Sequence, residues 1–230
     1  MRFGQSEPLP PICKNLLFIN IGVFVMTLVL NQRLSSEIIN LLGLHYLDSP
    51  NFRPFQLFSY QFIHSGPMHL IFNMFGLYIF GSRLEYIWGA QKFLFFYLFC
   101  VAGSALFMFI VNGIIVYKAT GFLMPHGKVV IESYQVLQIY NSVTIGASGA
   151  IVALLAAFAR LFPNTEMYIM LIPIPVKAKY LAIGYGIIEL YLGIANRDSD
   201  NVAHFGHVGG LLFGLLLVWY WNKTNRNTFY

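Results

Sequence analysis

Three short patterns set polar side chains into stretches that are otherwise almost wholly apolar. They are Gly146-Ala147-Ser148-Gly149, His204-Phe-Gly-His207-Val-Gly-Gly210-Leu-Leu-Phe-Gly214 and His69-Leu-Ile-Phe-Asn73. A serine hydroxyl is a poor nucleophile until a neighbouring base takes its proton, and neutral imidazole is the usual base. Attack on an acyl carbon then puts charge on the carbonyl oxygen, which needs donors aimed at it. His69 and Asn73 are four residues apart, so a helix carries them on one face. With the backbone N–H of Ser148 near a helix start, where early amides lack intrahelical partners, they are candidate oxyanion donors. The expected chemistry is acyl transfer, with Ser148 as nucleophile and His207 as general base.

Each pattern alone has a plain structural explanation. A membrane-helix serine bonds its own i−4 carbonyl, a histidine sits satisfied in a core, and an HxxxN pair bridges two helices. Their coincidence carries the functional reading, and that depends on the elements that hold them.

Of 230 residues, 57% are hydrophobic and only 10% charged, whereas soluble domains run nearer a quarter charged. Disordered, coiled-coil, collagenous and disulfide-scaffold classes are excluded. The chain reads as an all-α polytopic membrane protein, a single membrane domain over 1–230. Apolar runs at 15–31, 67–88, 92–116, 143–162, 178–195 and 202–222 predict six spans. A tail precedes them at 1–14 and another follows at 223–230. The net charge of +5 comes from singly scattered Lys and Arg, so it marks span flanks and not a nucleic-acid surface. With both termini cytoplasmic, nine cations fall inside (Arg2, Lys14, Arg83, Lys92, Arg160, Lys177, Lys179, Lys223, Arg226) and five outside (Arg33, Arg53, Lys118, Lys128, Arg197). This bias sets the orientation, and a cell membrane is the expected location.

In that orientation spans two, four and six run from outside to inside, so all three patterns fall near the outer face. Ser148 and His207 each lie five residues past the predicted helix start, about 7–8 Å deep. Gly210 and Gly214 lie on the side of His207, and Gly149, Ala153 and Ala157 form a ridge beside Ser148. Small ridges of this kind let membrane helices approach closely.

Two outer segments, 32–66 and 117–142, exceed ordinary loop length. The first, with Phe52, Phe55, Leu57, Phe58, Tyr60 and Phe62, suits a segment lying in the interface. The second is expected to hold a short strand around Val129–Ile131. Ile172-Pro-Ile-Pro-Val-Lys-Ala-Lys179 reads as a rigid turn, because Pro173 and Pro175 forbid regular helix. Cys13 and Cys100 have no CxxC neighbour and carry no redox or zinc role. No cofactor and no metal are expected. His204 and His207 lack a third ligand at their depth, Glu189 excepted. Glu189 is conceivable as an acid orienting His207, but a Ser–His dyad without a carboxylate is the expectation. Asp198 and Asp200 are expected to cap the sixth helix.

These residues resemble the rhomboid intramembrane serine proteases over about 50–220. The motif order matches: HxxxN as His69…Asn73, GxSG as Gly146…Gly149, then a run similar to AHxxGxxxG at Gly206, His207, Gly210 and Gly214. Glu85-Tyr-Ile-Trp-Gly89 resembles the family's ExxxG. The resemblance implies a six-helix bundle that cleaves single-pass transmembrane substrates near the outer face. It further implies Ser148 as nucleophile, His207 as base, and His69 with Asn73 in the oxyanion hole. The glycine spacing selects His207 over His204. The chain departs from the family at three places: Phe55-Gln56 stands where a Trp-Arg pair is frequent, Val152 where an aromatic often supports the imidazole, and Gly206 where alanine is commoner. The alternatives are a catalytically silent relative that binds membrane clients, and a small transporter using the same polar cluster.

Overall fold

Pro11 opens the first helix at a position where its missing N–H costs nothing, and α1 runs Pro11–Val29. Its next two amides, Ile12 and Cys13, donate to the Glu85 carboxylate at 2.9 and 2.7 Å. A buried acid thus caps a helix whose N-terminal dipole favours it, and the ExxxG run ties the second apolar segment to the first. The structure, a computed structural model, describes residues 8–125, 133–169, 172–195 and 203–224.

After α1 come α2 (Gln32–Leu42) and α3 (Gln56–Ser59), the latter continued by a 3₁₀ turn at Tyr60–Phe62. The second apolar run is helical throughout, as α4 (Pro67–Gly76), a π-helical turn at Leu77–Gly81 and α5 (Ser82–Trp88). Gly89, at φ 78°, turns the chain into α6 (Ala90–Thr120). Then follow α7 (Tyr134–Asn141), α8 (Ser148–Leu161), α9 (Ala178–Ala195) and α10 (His204–Thr224). Among the described residues, α1, α6, α9 and α10 are long and apolar enough to cross a membrane.

The core sits on α8, which is buried at every position from Gly149 to Ala159. Helices α10 and α6 pack along it, with α9, α4 and the π turn against its remaining sides. A helix of 14 residues rises only about 21 Å, short of the hydrocarbon thickness. It is tolerated because protein, not lipid, surrounds its non-helical approach.

That approach corrects the sequence expectation of a helix over 143–162. Residues 143–147 are not helical: Thr144 and Leu44 exchange two backbone hydrogen bonds at 2.9 Å, and the Gly146 amide donates to the Tyr60 carbonyl at 3.0 Å. Gly146 has φ 111°, a conformation that a residue with a Cβ rarely adopts, and the helix starts only after it. Ser148 is therefore the first residue of α8, not five residues in.

Two further expectations change. The chain is mostly helical but not wholly so, since β1 (Glu166–Ile169) pairs antiparallel with β2 (Ile172–Lys177). The prolines that bar helix are compatible with a strand whose outer edge needs no donors. The departure at Phe55-Gln56 also has a structural answer. Gln56 is completely buried, and its amide donates to the carbonyls of Leu41 and Asn51 at 3.1 and 3.0 Å. Its Oε1 accepts from the amides of Arg53 and His45 at 3.1 and 3.3 Å. One glutamine thus ties the end of α2 to the loop that follows it. The strand expected around Val129–Ile131 and the caps expected at Asp198 and Asp200 lie outside the described residues.

Candidate active site

Because Gly146 delays the start of α8, the first intrahelical hydrogen bond is that of Ile151 to the Ala147 carbonyl, 3.1 Å. The amides of Ser148, Gly149 and Ala150 precede it, and such a helix start attracts negative charge. The Ser148 hydroxyl sits at this end, partly exposed.

Opposite it runs α10, at a separation set by glycine. A Cβ on Gly210 would fall 1.9 Å from the Gly149 carbonyl oxygen, and one on Gly214 would fall 2.9 Å from the Ala153 Cβ. The small ridges expected from the sequence do interlock. Ser104 of α6 closes the third side, donating to the Gly206 carbonyl at 2.7 Å, and a Cβ on Gly149 would fall 2.3 Å from its Oγ. Glycine at 206 fits the same packing, since a Cβ there would lie 3.1 Å from Met108 Sδ.

Backbones this close bring Ser148 Oγ to 2.6 Å from His207 Nε2. The other ring nitrogen, Nδ1, lies 2.8 Å from Glu189 Oε2, and the same oxygen lies 2.7 Å from His204 Nδ1. All three side chains are buried. An ionised carboxylate only accepts, so both imidazoles carry their hydrogen on Nδ1. Nε2 of His207 is then left with a lone pair facing the serine O–H, the tautomer a general base requires. The expectation of a dyad without a carboxylate is thereby corrected: an acid from α9 completes a Ser148–His207–Glu189 chain. The outcome turns on which face of α9 meets α10, and no motif around Glu189 reports that.

Aromatic support for the imidazole also comes from α9. The Tyr185 ring lies 6.2 Å from that of His207, and its hydroxyl approaches Nδ1 at 3.5 Å. Tyr185 thus supplies the aromatic neighbour that Val152 does not. Neither Tyr185 nor Ser104 was singled out from sequence. Tyr185 precedes Glu189 by one helical turn, and Ser104 lies between Gly103 and Ala105; those spacings were the available signals.

His69 reaches the nucleophile from α4. Its Nδ1 is 3.0 Å from Ser65 Oγ, which leaves Nε2 directed at Gly146. A Cβ built there would be 2.6 Å from that nitrogen and 3.8 Å from Ser148 Oγ. Only glycine keeps this small space open between the two side chains. Asn73, one turn further on the same face, is buried and donates its amide to the His69 carbonyl at 2.9 Å. The second N–H of that amide is the one available to a ligand. Beside His69, at 5.0 Å between rings, lies His64. Burial, reinforced by the neighbouring His69, pushes the His64 imidazole down to about 4. It is neutral at physiological pH and adds no charge beside the site.

The profile of the Rhomboid domain matches residues 51–224. The chain belongs to the rhomboid family. Among curated rhomboid relatives, the RHOMBOID-like protein 6, mitochondrial, of Arabidopsis thaliana is 29% identical over 70% of this chain and 42% of its own length. Presenilin-associated rhomboid-like protein A, mitochondrial, of Danio rerio is also 29% identical, over 70% of this chain and 35% of its own. Rhomboid protein 1, mitochondrial, of Saccharomyces cerevisiae is 27% identical over 70% and 40%. The chain thus spans well under two thirds of these relatives. As a rhomboid with several long apolar helices, it is a multi-pass membrane protein of an intramembrane-protease family.

Proposed function

We propose that this rhomboid is an active intramembrane serine endopeptidase that hydrolyses peptide bonds of single-pass transmembrane proteins. The observation that carries the reading is the 2.6 Å contact between Ser148 Oγ and His207 Nε2 at the head of α8. A silent client-binding relative would have no need of that contact. An ion path would need polar residues through the inner half, whereas Ile151–Leu155 and Leu211–Val218 are almost entirely apolar.

In this reading His207 takes the hydroxyl proton as Ser148 attacks the scissile carbonyl. The oxyanion forms over Gly146, where the Ser148 amide, the His69 ring and the Asn73 side chain are the donors. Each such donor contributes roughly 3–4 kcal/mol of barrier lowering. His207, charged in the intermediate and held by Glu189, returns the proton to the leaving amine. Water then repeats the sequence on the acyl-enzyme, so the site must open to solvent. The substrate helix must fray to present its carbonyl, which glycine or other poor helix formers near the cut would ease.

The architecture that goes with this function is six spans: α1, α4–α5, α6, α8, α9 and α10. The cation bias supports a topology with both termini on the cytoplasmic face and the site on the outer side, and the proposed location is a cell membrane. The word mitochondrial belongs to the relatives' names. Co-reconstitution with a single-pass substrate in liposomes tests the function: the wild type cleaves it and Ser148→Ala does not. Cleavage that survives Ser148→Ala would end this reading.

A further inference from the structure

Glu189 does more than hold one ring. Its Oε2 stands between two imidazole nitrogens, 2.7 Å from His204 Nδ1 and 2.8 Å from His207 Nδ1. The donor atoms of all three residues lie within 4.8 Å of one another, and all three are buried. Two imidazoles and one carboxylate form a ligand set that suits zinc, with a fourth position left for water. Hard cations prefer shells made wholly of oxygen, so magnesium and calcium fit this set poorly. The general base of the proposed reaction is itself one of the three ligands. His204, which the hydrolytic mechanism does not use, is another.

We infer that Glu189, His204 and His207 form an inhibitory site for a zinc-class transition-metal ion, so that the metal and the nucleophile compete for one histidine. The inference rests on the protease reading for its consequence, but not for the binding itself.

The chemistry balances without a redox partner. Zn²⁺ takes the Nδ1 lone pairs of both rings and one oxygen of Glu189, and replaces the two N–H···O hydrogen bonds. Each ring's hydrogen moves from Nδ1 to Nε2, so no net proton is released. In His207 the displaced hydrogen then points at Ser148 Oγ. The ring becomes a donor where it had been an acceptor and cannot take the serine proton. The metal thus imposes the wrong tautomer, the opposite of what Glu189 alone imposes.

The two ideas separate if binding is measured on Ser148→Ala in detergent, where no hydrolysis occurs. Cobalt(II) is the spectroscopic probe and zinc its competitor. The expected result is one Co²⁺ per chain with the intense visible bands of four-coordinate cobalt, displaced by Zn²⁺. Glu189→Gln and His204→Gln each remove one of three ligands and should weaken binding by at least the roughly tenfold that losing an outer-shell partner costs. On the wild type, free Zn²⁺ at about ten times the dissociation constant measured on Ser148→Ala lowers kcat/KM by roughly tenfold through mass action. A chelator restores it, and Mg²⁺ at the same concentration does nothing. His204→Gln should reduce the zinc sensitivity of whatever activity it retains. A Ser148→Ala protein that binds no Co²⁺, or binding unaffected by either substitution, would overturn the site. Binding as expected in a chain that cleaves nothing would leave the metal site standing and remove the protease reading instead.

Discussion

Helices α10 and α9 both give side chains to one hydrogen-bonded cluster, yet they are held in different ways. Helix α10 is pressed onto α8, with Gly210 against the Gly149 backbone and Gly214 against Ala153, and onto α6 at Gly206, which faces Ser104 and Met108; half of its apolar window is buried. Only 22% of the corresponding window of α9 is buried; Ile183, Ile187, Ile188, Tyr191 and Ile194 all face outward. Nucleophile and base thus share a seam with almost no slack. The acid that orients the base rides on a helix gripped mainly through Ala178, Ala182, Glu189 and Gly193. Close packing fixes the Ser–His distance, and a polar contact fixes the tautomer. The two requirements can fail independently.

The largest effect should come from filling the seam. Gly210→Val puts a side chain where even a Cβ would meet the Gly149 carbonyl at 1.9 Å. Overpacking against backbone costs about 3 kcal/mol or more, so thermal unfolding in detergent should fall by several degrees and hydrolysis should be lost. A Gly210→Val protein with native stability and activity would mean that the helices are not so close.

Glu189→Gln comes next. It preserves shape but removes the negative charge that stabilises the His207 imidazolium of the intermediate, and it turns one acceptor oxygen into an N–H donor. The expected result is a fall in kcat of about 10²-fold with KM little changed. Equal activity would show that the α9 carboxylate plays no part in orienting His207.

A smaller change in rate, but a clear one in stability, is expected at Gln56→Ala. Four backbone groups lose a buried partner there, each worth about 1 kcal/mol or more. The measurement is the unfolding midpoint together with protease sensitivity of the 32–66 segment. Least of all should come from Ile187→Leu on the outer face of α9, which should stay within about 0.5 kcal/mol and leave hydrolysis unchanged.

The sequence made part of this architecture legible, and the reason differs element by element. Apolar runs report where lipid or core must be, so helices formed at all six. The Ser148–His207 pairing could be read because glycine at 210 and 214 announces a close approach. The link from Glu189 to His207 could be raised from its depth but not decided, because it depends on the rotation of α9 about its own axis. The start of α8 was misjudged by five residues because hydropathy cannot distinguish apolar extended chain at 143–147 from apolar helix. Only the φ of Gly146 decides it. Gln56, which stands in place of part of the family's Trp-Arg pair, is likewise opaque in sequence. Its value lies in four contacts with residues that precede it by up to 15 positions, which no local pattern reveals.

Labelling by a fluorophosphonate probe in detergent bears most directly on the activated serine, since it needs neither substrate nor membrane. The wild type should be modified at Ser148, with the site identified by mass spectrometry. Both Ser148→Ala and His207→Ala should remain unlabelled while retaining the wild-type unfolding midpoint to within a few degrees. Modification that persists in Ser148→Ala, or proceeds at the wild-type rate in His207→Ala, would contradict the account.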